Sequence, residues 1–171
     1  MTDMSIDIMN SAERRIRIGG LNGFSFREIA ADVGVKSSSV HYHFPTKEKL
    51  AAAVIRRYTE RVANRIDGEI AKGSDSVTVW TRAFRSTVRC KEHMCPAAVL
   101  GASAMDLPAE VAAEVTAFFE MCLEKLVASG IDKNAAAEFL STLTGALILA
   151  NALDDPAIYD RATRGLARKW N

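Results

Sequence analysis

Apolar residues recur every three or four positions along nearly the whole chain, and sustained alternation with a period of two is absent, so the pattern predicts helices and no strands. Ile8, Ala12 and Ile16 stand at i, i+4 and i+8 and predict a first helix over 3–20, stopped by Gly19, Gly20 and Gly23. Phe26, Ile29, Ala30 and Val33 then form one stripe at i, i+3, i+4 and i+7. Ahead of it, Ser25 and Glu28 are in capping-box relation, with the serine hydroxyl expected on a first-turn amide and the glutamate reaching back to the serine amide. Gly34 lies just past the stripe, where a left-handed residue ends a helix at least steric cost, and Val35 reads as the apolar plug of a turn. Ser37 is the expected N-cap of the next helix, with Val40 and Phe44 inward, and Pro45 stops it. From Thr46, a cap, Leu50, Val54, Tyr58, Val62, Ile66 and Ile70 recur every four residues, which predicts a rod of about 36 Å.

After a short break at 72–74 the same period predicts helices over 75–93, 96–105, 108–129, 132–153 and 155–169. Pro96, Pro108 and Pro156 suit first helical turns, where the missing amide costs nothing, and Gly130 suits a helix end. In the fourth of these, Phe139, Leu140, Leu143, Leu147 and Ala150 make a stripe edged with small residues, which allows close helix approach.

Two short helices joined through a single glycine and followed by a third helix start form a helix-turn-helix signature. Outward on its second helix lie Lys36, Ser38, Ser39, His41, Tyr42 and His43, small polar or ring residues suited to a DNA major groove. The motif I-A-x-x-x-G-V, in Ile29, Ala30, Gly34 and Val35, precedes V-x-Y-H-F-P-T-K-E-x-L, running from Val40 to Leu50. Over residues 8–50 the chain resembles the TetR family of bacterial transcriptional regulators. Three positions depart from that family's usual pattern: His41 replaces a tyrosine, Leu21 an aromatic residue, and Arg15 an apolar one.

The resemblance implies an all-α chain with a three-helix DNA-binding domain over 1–46 and a helical effector-binding and dimerisation domain over 47–171. Helix 37–44 would be the recognition helix, and the expected DNA-facing residues are Ser25, Arg27, Lys36, Ser37, Ser38, Ser39, His41, Tyr42 and Lys47. It further implies a homodimer on a near-palindromic double-stranded operator, in which the last two long helices pair with their mates in a four-helix bundle through Phe139, Leu140, Leu143, Leu147 and Ala150. Repression relieved by a small effector is the expected activity. Apolar and aromatic residues of the middle helices are the expected cavity walls: Trp80, Phe84, Met94, Cys95, Met105, Phe118, Phe119 and Cys122. The effector is accordingly expected to be small and largely apolar.

Composition changes this picture in three places. A chain of 171 residues, 49% hydrophobic, buries a sizeable core, and its net charge of +1 looks unpromising for nucleic acid. Divided along the chain, however, residues 1–65 hold 11 Lys and Arg against 7 Asp and Glu, whereas residues 66–153 hold 7 against 11, so the basic excess falls on the reader. Three cysteines without the spacing of a secreted framework, and no leader pattern, point to a reducing cytoplasm. The run 139–153 reads as too short and too often interrupted by polar residues to cross a bilayer.

Catalytic constellations are missing from the sequence. There is no H-E-x-x-H, the stretch 101–105 misses a G-x-S-x-G elbow, and the glycines at 19, 20 and 23 lack the G-K-[ST] of a phosphate loop, so neither an enzyme nor a cofactor is expected. Cys90, His93 and Cys95 supply three candidate metal ligands without a fourth, and no metal is expected. One alternative keeps the same DNA reader with cysteine-based redox or electrophile sensing. Cys95 just ahead of Pro96 would sit at a helix start that favours thiolate, with Cys90 or Cys122 as resolving partner.

Overall fold

The computed structural model of the chain describes residues 3–89 and 94–166, which contain α-helices, two short 3-10 turns and no strand. The helices are α1 (Asp3–Gly19), α2 (Phe26–Val33), α3 (Ser37–His43), α4 (Lys47–Ala71), α5 (Ser76–Arg89), α6 (Pro96–Gly101), α7 (Ala109–Ala128), α8 (Lys133–Ala152) and α9 (Pro156–Thr163). Every expected helix is present. The segment expected to be helical over 96–105 is shorter, because the helix ends at Gly101 and the chain makes a 3-10 turn over Ala104–Asp106. The last helix, expected over 155–169, stops at Thr163 with a turn at 164–165, and the expected continuations over 90–93 and 167–169 lie outside the described residues.

Packing divides the chain into two compact units. The first comprises 1–58 with 96–118, and the second 59–95 with 119–171. Helices α4 and α7 each run from one unit into the other.

In the first unit Ile8, Ala12 and Ile16 of α1 are fully buried with Ile29, Val40, Leu50, Val54 and Ile55, as their helical spacing requires. The chain leaves α1 through a 3-10 turn at Gly20–Gly23 that passes close to the helix: a Cβ on Gly23 would lie 2.8 Å from the carbonyl oxygen of Arg15, so only glycine fits. Glu13, itself buried, pairs with Arg17 at 2.7 Å, and Arg57 of α4 reaches both Glu13 and the Asn10 amide oxygen, the latter at 2.7 Å. Arg56 of α4 pairs with Glu114 of α7. These contacts bind the first half of α4 to α1 and α7.

In the second unit Trp80, Cys122, Phe139, Leu143, Leu147 and Tyr159 are fully buried. The Tyr159 hydroxyl donates to the Thr81 carbonyl at 3.0 Å, and Arg85 forks onto Asp160, so α9 is tied to α5 by both a neutral and a charged link. Burial pushes the Tyr159 phenol well above its usual range. Lys125 of α7 holds Asp67 of α4. Asp132 caps α8 through the amides of Asn134 and Ala135, and Asp155 caps α9 ahead of Pro156. At 20 residues α8 is long and apolar enough to cross a membrane by length and composition alone, but its Phe139, Leu143 and Leu147 stripe is buried in the packing of this unit.

Candidate nucleic-acid interface

The reader is built on the two helix ends that flank Phe26–Val33. At the N-terminus the Ser25 hydroxyl accepts from the Glu28 amide at 3.3 Å, while Glu28 accepts from the Ser25 amide at 2.7 Å, so the capping box forms as its spacing predicts. The Ser25 hydroxyl, which donates to the carboxylate at 2.8 Å, and then the Ser25 amide hold the Glu28 carboxyl below its usual range. At the C-terminus Gly34 is left-handed, with φ of 76°. Its amide and that of Val35 reach back to the carbonyls of Ala31 and Ala30 at 3.3 and 2.9 Å, a Schellman closure. The turn uses so few residues that α3 can start at once.

It starts one position earlier than expected. Lys36, extended at φ −78° and ψ 148°, occupies the N-cap without a side-chain cap, and Ser37 is the first helical residue rather than the cap. Val40 is the buried anchor, as expected, whereas Phe44 is only half-buried because the chain already turns extended there, ahead of Pro45. Thr46 caps α4, its hydroxyl accepting from the Lys49 amide at 3.2 Å.

The expected DNA-facing residues are mostly on the surface. Arg27, Lys36, Ser38, His41 and Tyr42 are exposed, Tyr42 at 84%, and Ser37, Ser39 and Lys47 are half-buried. Two rings on α3 have fixed neighbours: His41 stands edge-on to Phe26 of α2, with centroids 4.5 Å apart, and Tyr42 stands edge-on to His43 at 5.3 Å. The Lys47 ammonium lies over the Phe24 ring, 4.9 Å from its centre. Ser25 differs from the others. Its hydroxyl is engaged as the cap, donating to Glu28 as well as accepting from it, so its first duty is to the helix.

A group that sequence reasoning did not assign lies behind this face. Arg15, out of place as a substitute for an apolar residue, sends its guanidinium from α1 to both oxygens of Asp32 on α2, at 2.7 and 2.9 Å, and to Glu28 at 3.2 Å. The buried Ser11 hydroxyl donates to the same Asp32 at 2.6 Å. Asp32 is thereby held down to about 2, with the Arg15 hydrogen bonds the main cause. The only signal in the sequence was the misfit of Arg15 itself.

The family model of bacterial regulatory proteins, tetR family, matches residues 8–54, which covers this reader from α1 into α4. Two solved structures extend the likeness over the whole chain. A TetR transcriptional regulator from Legionella pneumophila is 26% identical with a TM-score of 0.89, covering 100% of this chain and 99% of that one. A TetR-family transcriptional regulator from Agrobacterium tumefaciens is 26% identical, also with a TM-score of 0.89, covering 98% and 97%. Residues 8–54 thus match the TetR family, and the full chain is similar to these two TetR-family regulators.

Its all-α build and helix-turn-helix are those of a DNA-binding transcriptional regulator. A third structure, the multidrug binding protein EbrR complexed with malachite green, shares the fold at 22% identity and a TM-score of 0.73, covering 99% of each chain. Among curated proteins none matches this chain.

Of the residues expected to wall an effector cavity, Trp80, Phe84, Met94, Cys95 and Cys122 are buried and belong to the second unit. Trp80 and Phe84 lie 6.3 Å apart, and burial together with nearby Cys95 pushes the Cys122 thiol well up. Phe119 is half-buried in the same unit, while Phe118 belongs to the first unit, stacked on Tyr58 at 5.4 Å. Met105 is 98% exposed on its 3-10 turn and walls nothing, because α6 ends before reaching it. The cluster of Cys90, His93 and Cys95 falls largely on positions outside the described residues; among the described ones no group of His, Cys, Asp and Glu is placed to hold a metal.

The residues expected at a dimer interface all lie on α8. Phe139, Leu143 and Leu147 are fully buried within the single chain, while Leu140 and Ala150 keep 6% and 2% of their surface. Two faces of α8 are apolar or small, and the larger side chains mark the one that packs inward. On the outer face Ala137, Ser141 and Gly145 stand four apart and, with Thr144, Phe119 and Leu123, line an open groove of about 420 Å³ whose floor is Leu140. Ile148 and Leu149 are partly exposed further along the same helix.

Proposed function

We propose that this chain is a TetR-family repressor that binds a near-palindromic operator as a homodimer and is released by a small, largely apolar effector. The observation that carries the reading is α3 itself: Val40 is buried as its anchor while Ser38, His41 and Tyr42 stand exposed on a helix held by a capped and Schellman-closed neighbour. A short rigid helix that presents small polar and ring residues is what a major groove accepts. In this reading residues 1–46 read DNA and residues 47–171 bind effector and partner.

The groove lined by Phe119, Ala137, Ser141 and Gly145 supports dimerisation, since small residues four apart let a second helix approach closely. For the effector, the buried indole N–H of Trp80 has no hydrogen-bond partner among the described residues, which supports a ligand that brings one acceptor to an otherwise apolar site. The cysteine-sensing alternative gains no such support, because Cys95 and Cys122 are both buried. Selection of duplexes from a random library, followed by sedimentation of the complex at about 0.2 M salt, tests the reading. Recovery of an inverted repeat bound by two chains is expected; an asymmetric site bound by a single chain overturns the homodimer on a palindrome.

A further inference from the structure

We propose that Arg15 is the positioning residue of the DNA reader, fixing the angle at which α2 presents α3, so that it governs discrimination between sequences without touching DNA. The inference rests on the reading of α3 as the recognition helix. Its geometric basis is that α2 is held by one side chain at two points a helical turn apart. Arg15 grips Asp32, in the last turn of α2, through Nε and Nη2, and Glu28, in the first turn, through Nη1. Ser11 braces Asp32 from the buried side of α1, and Glu28 passes the link on to the Ser25 amide. A helix tied at one point can still tilt about it; tied at two points a turn apart, it resists tilting.

What α2 does, α3 follows. The two are joined by the closed turn at Gly34 and by the edge contact of Phe26 with His41 at 4.5 Å. A tilt of about 10° in α2, acting over the roughly 10 Å length of the seven-residue α3, moves its far side chains by about 2 Å. Base-edge hydrogen bonds do not survive such a shift, while attraction to phosphate, which acts over a Debye length, hardly changes. A positioning residue therefore has its own signature: the ratio of specific to non-specific affinity falls and the salt slope stays. Lysine cannot replace Arg15 here, because one ammonium does not supply a planar fork to Asp32 and a third donor to Glu28.

The test compares the wild type, Arg15→Lys, Arg15→Ala and the exchange Arg15→Asp with Asp32→Arg on a duplex selected by the wild type and on a scrambled duplex, over a range of salt, with the melting temperature of each variant measured alongside. Arg15→Lys and Arg15→Ala are expected to lose about tenfold in the ratio, with scrambled-duplex affinity and salt slope within about twofold of wild type, and the exchange is expected to recover part of the loss. If both single variants keep the ratio within about twofold, or lose both affinities in step with melting temperature, Arg15 is only a stabilising pair and the inference is overturned. A wild type that prefers no sequence at all brings down the recognition-helix reading and this inference with it.

Discussion

The ammonium of Lys47 rests 4.9 Å from the centre of the Phe24 ring, so the first residue of α4 is held over the segment that leads into α2. The cation is thereby fixed at the edge of the reader and remains part-exposed. Lys47→Ala is expected to weaken binding to every duplex about equally and to lower the salt slope by about one per subunit, as loss of a single phosphate contact does. Lys47→Arg keeps the charge and should keep the slope. Affinity measured against salt for the selected and scrambled duplexes checks this, and an unchanged slope in Lys47→Ala removes it from the contact set.

Leu147 and Gly145 stand on different faces of one helix, the second facing the proposed interface. Leu147 is fully buried, so Leu147→Ala is expected to cost about 2–5 kcal/mol of stability wherever the chain is monomeric or dimeric. Gly145 faces open space within the single chain, with nothing within 4 Å of an added Cβ, so Gly145→Arg should fold and sediment as a monomer. A dimeric Gly145→Arg would move the interface off the α7 and α8 groove.

Asp32 gives the fold a specific acid sensitivity. Its folded-state value of about 2 lies below the ordinary carboxylate value, so ionised Asp32 stabilises the native state above about pH 4, and this contribution is lost as pH falls from there through about 2. Because Asp32 and Arg15 keep about 30% of their side-chain surface, 31% and 28%, solvent screening reduces the contribution to about 1 kcal/mol. Asp32→Asn should therefore be less stable than wild type at pH 7, and the gap should close towards pH 2. Urea midpoints at both ends of that range measure it, and a constant gap would mean that charge is not what Asp32 contributes.

Cys95 is 2% exposed and Cys122 fully buried, and burial raises the Cys122 thiol far from thiolate at neutral pH. Both are expected to resist iodoacetamide in the native protein and to react in urea. Mass-spectrometric mapping of the alkylated sites reads this directly. Fast native labelling of Cys95, accompanied by operator release, would restore the cysteine-sensing alternative.

Local chemistry determined the reader from sequence. The Ser25 and Glu28 cap, the left-handed Gly34, the Thr46 cap and the Val40 anchor all act within a few residues of their partners, so spacing alone specified them. Helix existence was legible for the same reason, since a period of 3.6 marks an apolar face wherever one exists. Which apolar face turns inward was not legible on α8: Phe139, Leu143 and Leu147 against Ala137, Ser141 and Gly145 is a choice made by the helices that pack against them. Met105 shows the same limit, since the end of α6 at Gly101 put an apolar residue in water. Above all, tertiary structure decided the role of Arg15. In sequence it is only a misplaced charge, 17 residues from Asp32; the passage of the chain around Gly23 brings α2 against α1 and makes the two a bidentate pair.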